Sequence, residues 1–266
     1  MGISLSAQLE ECPTGTRLLA GLYGLCCGTP ALLKALNMCP DAAIAKLFVC
    51  SPMNVLGARN LAPILLSVFF RPLRSGQEAL VALTELQMAV SFLPTREREL
   101  GSLRFLFWLL LNSAGSNVVF LLLARAWNQI CRMNQGPWSL AVIGLSLQAM
   151  EYPHGRANIL GVDLEMKWYP VVLGAVLSVL NGSPHFETFA PMLFAYLWRH
   201  GLHRLLVSPR VARSLEGRLK LPGLLSLLGG DWIRPPEPRE RPPAPPSAPA
   251  PGSFRLFGGQ GHRLSD

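Results

Sequence analysis

From Leu103 to Ala124 the chain runs through twenty-two residues with one charged side chain, Arg104. About 20 consecutive apolar residues cross the hydrocarbon of a bilayer, so this segment is either a span or the centre of a large core. The whole chain favours the first. Its 266 residues are 50% apolar and 15% charged, against about 25% charged in ordinary soluble domains, and the mean hydropathy is +0.31. That deficit argues against a water-soluble catalytic domain. The absence of a three- or seven-residue period excludes collagen-like and coiled-coil architectures. An all-α polytopic membrane protein with an appended tail is the class that remains.

Other apolar runs fit the same unit of length. Arg17–Leu36 predicts a first span, Gly76–Leu93 a second closed by Pro94 and the run Arg96-Glu97-Arg98-Glu99, and Leu103–Ala124 a third. Ser139–Met150 predicts a weaker fourth; Trp168–Leu180 and Phe186–Trp198 predict a fifth and a sixth around the turn Asn181-Gly182-Ser183-Pro184. Within the long 37–75 loop, Ala42–Val49 and Leu61–Phe70 are too short to span and read as interfacial or re-entrant helices. Six spans place both termini on one side.

Charge orients them. Residues 199–266 hold eleven Lys/Arg against five Asp/Glu, a net of +6, whereas residues 1–198 carry only +2 of the total +8. Basic residues close to span ends stay in the cytoplasm, so the tail, the 96–99 run and the stretch His154–Lys167 are expected there. The 37–75 loop would be lumenal despite Lys46, Arg59, Arg71 and Arg74. The arginines of the tail are scattered among prolines and glycines without aromatic interleaving, which does not fit nucleic-acid binding.

The first dozen residues have no basic stretch followed by an apolar run, so no cleavable signal peptide is expected. Met1-Gly2-Ile3-Ser4-Leu5-Ser6 matches a loose myristoylation pattern that adds little to a chain already spanning a bilayer. The six cysteines form no CxxC pair and have no histidine at ligand spacing, so neither a metal site nor a cofactor is expected. Cys39 and Cys50 flank one loop and are placed to bridge if it is lumenal.

Beyond Trp198, Gly201–Lys220 is basic and reads as a surface helix. Nine of the seventeen residues from Pro235 to Pro251 are proline, a composition that stays extended and cannot pack a core. The expected division is 1–200 for the membrane domain, 201–234 for a basic juxtamembrane segment, 235–251 for a spacer, and 252–266 for a terminal peptide on a disordered cytosolic tail.

Two constellations stand out within the spans. Small residues recur at four-residue spacing, Ala20, Gly24 and Gly28 in the first span and Gly174, Ser178 and Gly182 in the fifth, and predict close helix packing. Glu78 and Glu85 lie on nearly one face of the second span, and Asn112, Ser113, Ser116 and Asn117 make a polar stripe on the third. Ionisable groups inside a span usually face a bundle interior or a wet cavity. Glu85 with this stripe therefore predicts a hydrated interior between the second and third spans. Asn112-Ser113-Ala114-Gly115-Ser116 is not the G-x-S-G setting of an intramembrane serine protease, no span contains an aspartate, and His154 and His185 lie outside the spans. No catalytic set is expected.

The chain ends Phe257-Gly258-Gly259-Gln260-Gly261-His262-Arg263-Leu264-Ser265-Asp266, which fits F-x-G-x-G-x-x-L. Phe257 and Leu264 can fill pockets while Gly259 and Gly261 let the backbone lie close to a partner. Four fixed positions match somewhere in such a chain about one time in a hundred by chance. This ending resembles the SHP box with which derlins bind the AAA ATPase valosin-containing protein. Upstream, Pro13-Thr14-Gly15-Thr16-Arg17 is similar to the start of the first derlin helix, Lys167-Trp168-Tyr169-Pro170-Val171-Val172-Leu173-Gly174 to that of the fifth, and Leu219-Lys220-Leu221-Pro222-Gly223-Leu224-Leu225 to the segment after the sixth. Two positions depart from the pattern. No Trp-Arg stands near Leu61-Ala62-Pro63, and the sixth-helix G-x-x-x-G falls on Ala190 and Phe194.

The resemblance implies a rhomboid-like six-transmembrane-helix bundle without catalytic residues, in the endoplasmic reticulum membrane with both termini cytosolic. It implies a part in endoplasmic-reticulum-associated degradation, in which misfolded lumenal proteins are retrotranslocated and the tail recruits the ATPase. A ubiquitin ligase complex and further copies of the chain are partners it allows. The alternative is a rhomboid-like membrane chaperone or trafficking receptor that acts without the ATPase.

Overall fold

The computed structural model describes residue 9 and residues 11–35, 41–159, 162–219 and 231–235. The Phe257, Gly259, Gly261 and Leu264 positions and the proline spacer beyond residue 235 lie outside the described residues.

The described chain is mostly helical. Helix α1 is Thr14–Ala35, α2 Asp41–Phe48, α3 Ala62–Leu66, α4 Gly76–Leu100, α5 Ser102–Ala126, α6 Trp138–Glu151, α7 Tyr169–Leu180, α8 Phe186–His200 and α9 Pro209–Leu219. A helix stands at each expected span, and α2 and α3 stand on the two short runs of the 37–75 loop. By length and composition, α5 is the one helix among the described residues that is apolar and long enough to cross a membrane, while Met166–Leu180 is a shorter apolar stretch.

One expectation needs correction. The second span does not end at Pro94: α4 continues to Leu100. An internal proline removes one backbone hydrogen bond, but Leu93 and Glu97 on either side are fully buried and hold the last turns against their neighbours. Gly101, at φ 82° where a side chain is disfavoured, ends the helix. The fold is otherwise the expected all-α one, with a single short hairpin among the described residues. Arg156–Ile159 and Val162–Glu165 form an antiparallel hairpin, Arg156 facing Glu165 and Ile159 facing Val162.

Helix α8 is the centre of the bundle and packs on α5, α6 and α7. The main core joins Leu19 of α1, Leu93 of α4, Phe105 and Trp108 of α5, Leu140 and Ile143 of α6, and Phe194 and Trp198 of α8. A second cluster ties the loop before α4 to the other end of the bundle through Cys50, Val55, Phe120, Phe186 and Ala190. Helix α7 lies at the periphery against α6 and α8. Helix α9 is amphipathic, with Ala212 and Glu216 buried, and packs on α5.

Candidate functional site

Glu85 is 4% exposed in the middle of α4. Its carboxylate accepts a hydrogen bond from the Tyr23 hydroxyl of α1 at 3.0 Å and from Arg71 Nε at 2.8 Å, and it pairs with the Arg71 Nη2 atom as well. One buried acid thus joins α1, α4 and the end of the preceding loop. The charge of Arg71 is neutralised by this pairing. Gly136 completes the enclosure: it sits at φ 79°, and a Cβ there would collide with Glu85 Oε2.

Below the acid opens a cavity of about 500 Å³ between α4 and α7. Leu80, Val81 and Thr84 line one wall and Leu177 and Asn181 the other, with Glu85, Asn134 and His185 adding polar groups. His185 Nδ1 lies 2.8 Å from Thr188 Oγ1, which also accepts from Trp138 Nε1 at 3.1 Å. Glu187 lies 3.7 Å from His185 and 3.9 Å from Arg132. Burial pushes His185 below its ordinary pKa; Glu187 opposes that shift and Arg132 adds to it. The cavity therefore has an apolar body and a polar floor.

The expected hydrated interior between the second and third spans takes a different form. Asn112, Ser113, Ser116 and Asn117 are at most 1% exposed and are closed into packing on α5, while Glu85 faces the α4–α7 cavity. Asn117 donates to Ile64 O at 2.8 Å and to Ser67 Oγ at 2.9 Å, and accepts from Asn134 Nδ2 at 2.7 Å. It pins the loop before α4 to the one before α6. Asn112 Nδ2 donates back to Trp108 O, and Ser116 Oγ to Ser113 O. Asn112 Oδ1 and Ser113 Oγ have no partner among the described residues. Glu78 lies in the first turn of α4, where it accepts from the Arg74 N–H, so it caps a helix and does not face the bundle interior.

The small residues divide likewise. Gly174 packs against the Phe189 ring, whose Cε1 would lie 2.9 Å from a Cβ there. Ser178 Oγ donates to Gly174 O and accepts from the His185 N–H, fastening the α7–α8 turn. Gly182 is a turn glycine at φ 62° with open space around it. Gly24 and Gly28 are exposed, and a Cβ at either would meet nothing within 4 Å among the described residues. Gly24, Gly28 and Gly182 therefore serve no helix packing among the described residues, whereas Ala20 of the same stripe is buried. The close approach lies elsewhere: a Cβ at Gly115 of α5 would fall within the ring of Phe194 on α8. Helix α8 contributes the bulky ring at this contact, and the facing helix α5 supplies the gap.

A second carboxylate was legible only as part of a charged run. Glu97 is fully buried at the end of α4 and takes hydrogen bonds from the N–H groups of Gly15 and Thr16, both at 2.7 Å, from Thr16 Oγ1 at 2.8 Å and from Ser102 Oγ at 2.6 Å. Early N–H groups of a helix lack intrahelical partners and attract negative charge; Glu97 meets that need for α1 from another element. Ser102 extends the network, donating its N–H to Ile233 O at 2.8 Å and accepting the Ile233 N–H on Oγ at 3.0 Å. Asp231–Pro235 is thereby held against the α4–α5 junction. Signals for this hub were present in Thr14-Gly15-Thr16 and in an acid at a helix C-terminus, where its charge opposes the helix dipole.

Comparison with protein-family models, with curated proteins and with solved structures finds no match to this chain.

Proposed function

We propose that this chain is a non-catalytic, derlin-like factor of endoplasmic-reticulum-associated degradation, which assists the retrotranslocation of misfolded proteins and recruits the AAA ATPase valosin-containing protein through Phe257, Gly259, Gly261 and Leu264. The observation that carries the reading is that terminal motif at the end of a proline tether. A helix at each of the six apolar runs supports the membrane part. So do large apolar side chains facing outward: Leu25 and Leu32 on α1, Leu80 on α4, Leu122 on α5 and Val179 on α7 are 61–80% exposed.

Helix lengths bear on mechanism. At about 1.5 Å per residue, the 14 residues of α6 and 15 of α8 reach about 21–23 Å, short of a hydrocarbon core of about 30 Å. Helices shorter than the bilayer thin it locally, which lowers the barrier for a polar chain to cross. The α4–α7 cavity, apolar at its wall and polar at its floor, is the place for a client segment in this scheme.

The test uses the full-length chain in detergent with the purified ATPase. Replacing Phe257 and Leu264 together by Ala is expected to reduce capture at least about tenfold, since anchor side chains dominate such contacts; unchanged capture overturns the reading. If deletion of residues 252–266 leaves client turnover intact, the protein is instead a membrane chaperone or trafficking receptor acting without the ATPase.

A further inference from the structure

A second groove, of about 710 Å³, runs between α6, α7 and α8. Its body is apolar, with Leu123, Ala149, Met150, Val171, Met192 and Leu193 among its lining. Its end is basic, since Lys167, Arg199 and His200 line the same space. Lys167 precedes α7, and Arg199 and His200 close α8, so antiparallel packing gathers two cations and an imidazole at one level. Lys167 is partly offset by Glu165, at 2.5 Å, whereas no ion pair engages Arg199 among the described residues. The Tyr196 ring lies 4.2 Å from that of His200 and Lys167 stands 5.8 Å above the Trp168 ring; such aromatic groups favour the boundary between hydrocarbon and headgroups. Ser146, 5% exposed, also lines the groove, and its hydroxyl has no hydrogen-bond partner among the described residues.

We propose that this groove is a binding site for one anionic glycerophospholipid, with its phosphate between Lys167, Arg199 and His200 and an acyl chain along α6 and α8. The occupant follows from charge and shape together. A free anion would leave the apolar body empty, and a neutral lipid would leave Arg199 without a counter-charge. An ester carbonyl of the glycerol region satisfies the Ser146 hydroxyl, which a hydrocarbon alone does not. The inference rests on the membrane reading above, under which the basic end faces the cytoplasm, the side where anionic lipids concentrate.

The experiment presents the full chain, in a neutral detergent, with phosphatidylserine and phosphatidylcholine of identical acyl chains and measures retained lipid by native mass spectrometry. Phosphatidylserine is expected to be retained about tenfold better, because each nearby Lys or Arg favours an anionic headgroup. The double variant Lys167→Gln with Arg199→Gln, both at exposed positions, is expected to abolish the preference while leaving the thermal midpoint unchanged. Met192→Trp, which fills the apolar body, is expected to reduce retention of both lipids. Equal retention of the two lipids by the natural chain, or an undiminished preference in the double variant, overturns the site. Displacement by soluble glycerophosphoserine at the same concentration as the lipid overturns it too, by reducing it to an anion site. Loss of ATPase capture by the tail does not touch this result, whereas extraction of the chain from membranes by alkaline carbonate removes the membrane reading and the lipid site together.

Discussion

Glu97 at the end of α4 takes both the backbone N–H and the hydroxyl of Thr16 at the start of α1, at 2.7 and 2.8 Å. The two residues are 81 positions apart, and their contact is fully buried. With Gly15 and Ser102 adding two more donors, a buried charge that is costly alone becomes the junction of α1, the α4–α5 turn and the segment around Ile233. Pro235 lies at this junction beside Gly101, where a Cβ would lie 2.6 Å from Pro235 N.

Replacing Glu97 by Ala strands four buried donors at once. Unsatisfied buried donors cost about 1–3 kcal/mol each, so a loss of at least about 3 kcal/mol is expected after partial relaxation. Glu97→Gln keeps one acceptor oxygen but turns an amide toward donors, and is expected to recover less than half of that loss. Denaturant unfolding in micelles measures both. Equal stability of Glu97→Ala and the natural chain would show that water replaces the carboxylate.

The contrast between α4 and α5 indicates what the sequence makes legible. Leu103–Ala124 announces its helix because every turn is apolar, and helix position follows from local composition alone. Pro94 misleads because its local effect, one lost hydrogen bond, is outweighed by burial of Leu93 and Glu97 against residues far away in sequence. The 156–165 hairpin alternates polar and apolar residues, but over two strands of only four residues each, too short for the period to stand out between two longer apolar runs. The partners of Glu85 and Asn117 lie on other helices and on loops whose paths are set by the whole bundle, so the stripe is readable but not its use. Spacing alone also cannot tell an outward glycine such as Gly24 from an inward one such as Gly115.

Gly115 and Phe194 are expected to be energetically coupled. A methyl group at Gly115 meets the Phe194 ring, and overpacking of this kind costs about 1–3 kcal/mol. Gly115→Ala should therefore destabilise the natural chain, whereas in the Phe194→Leu background the same change should cost far less. A double-mutant cycle in thermal unfolding reads the difference, expected to be about 1 kcal/mol or more. Additive effects would mean that α5 and α8 separate without penalty.

The Arg71–Glu85 pair should behave as a unit with Tyr23. Glu85→Gln leaves Arg71, whose side chain is 21% exposed, without its counter-charge. Breaking a fully buried pair from one side costs about 3–5 kcal/mol; partial access of Arg71 to solvent brings the expected loss to about 2–3 kcal/mol. The double variant Arg71→Gln with Glu85→Gln should lose less than the two single variants combined, since it leaves no lone charge. Tyr23→Phe, which removes one hydrogen bond to the carboxylate, should cost about 1–2 kcal/mol by the same unfolding measurement.

Cysteine chemistry separates the loop from the surface. Cys50 is a free thiol with no exposed area, and burial pushes its pKa up to about 12; Cys131 is exposed. Because the thiolate is the reactive form, maleimide at pH 7 should modify Cys131 within minutes and leave Cys50 untouched. A raised thiol pKa means that the folded state holds its proton more tightly than the unfolded one. The stability this gives is therefore fully present below the ordinary thiol pKa and is lost as pH rises toward 12. Alkylation of Cys50 should accordingly follow unfolding at neutral pH and accelerate only well into the alkaline range. Peptide mapping by mass spectrometry after timed labelling checks both statements, and early modification of Cys50 at pH 7 would show that the loop before α4 opens without unfolding of the bundle.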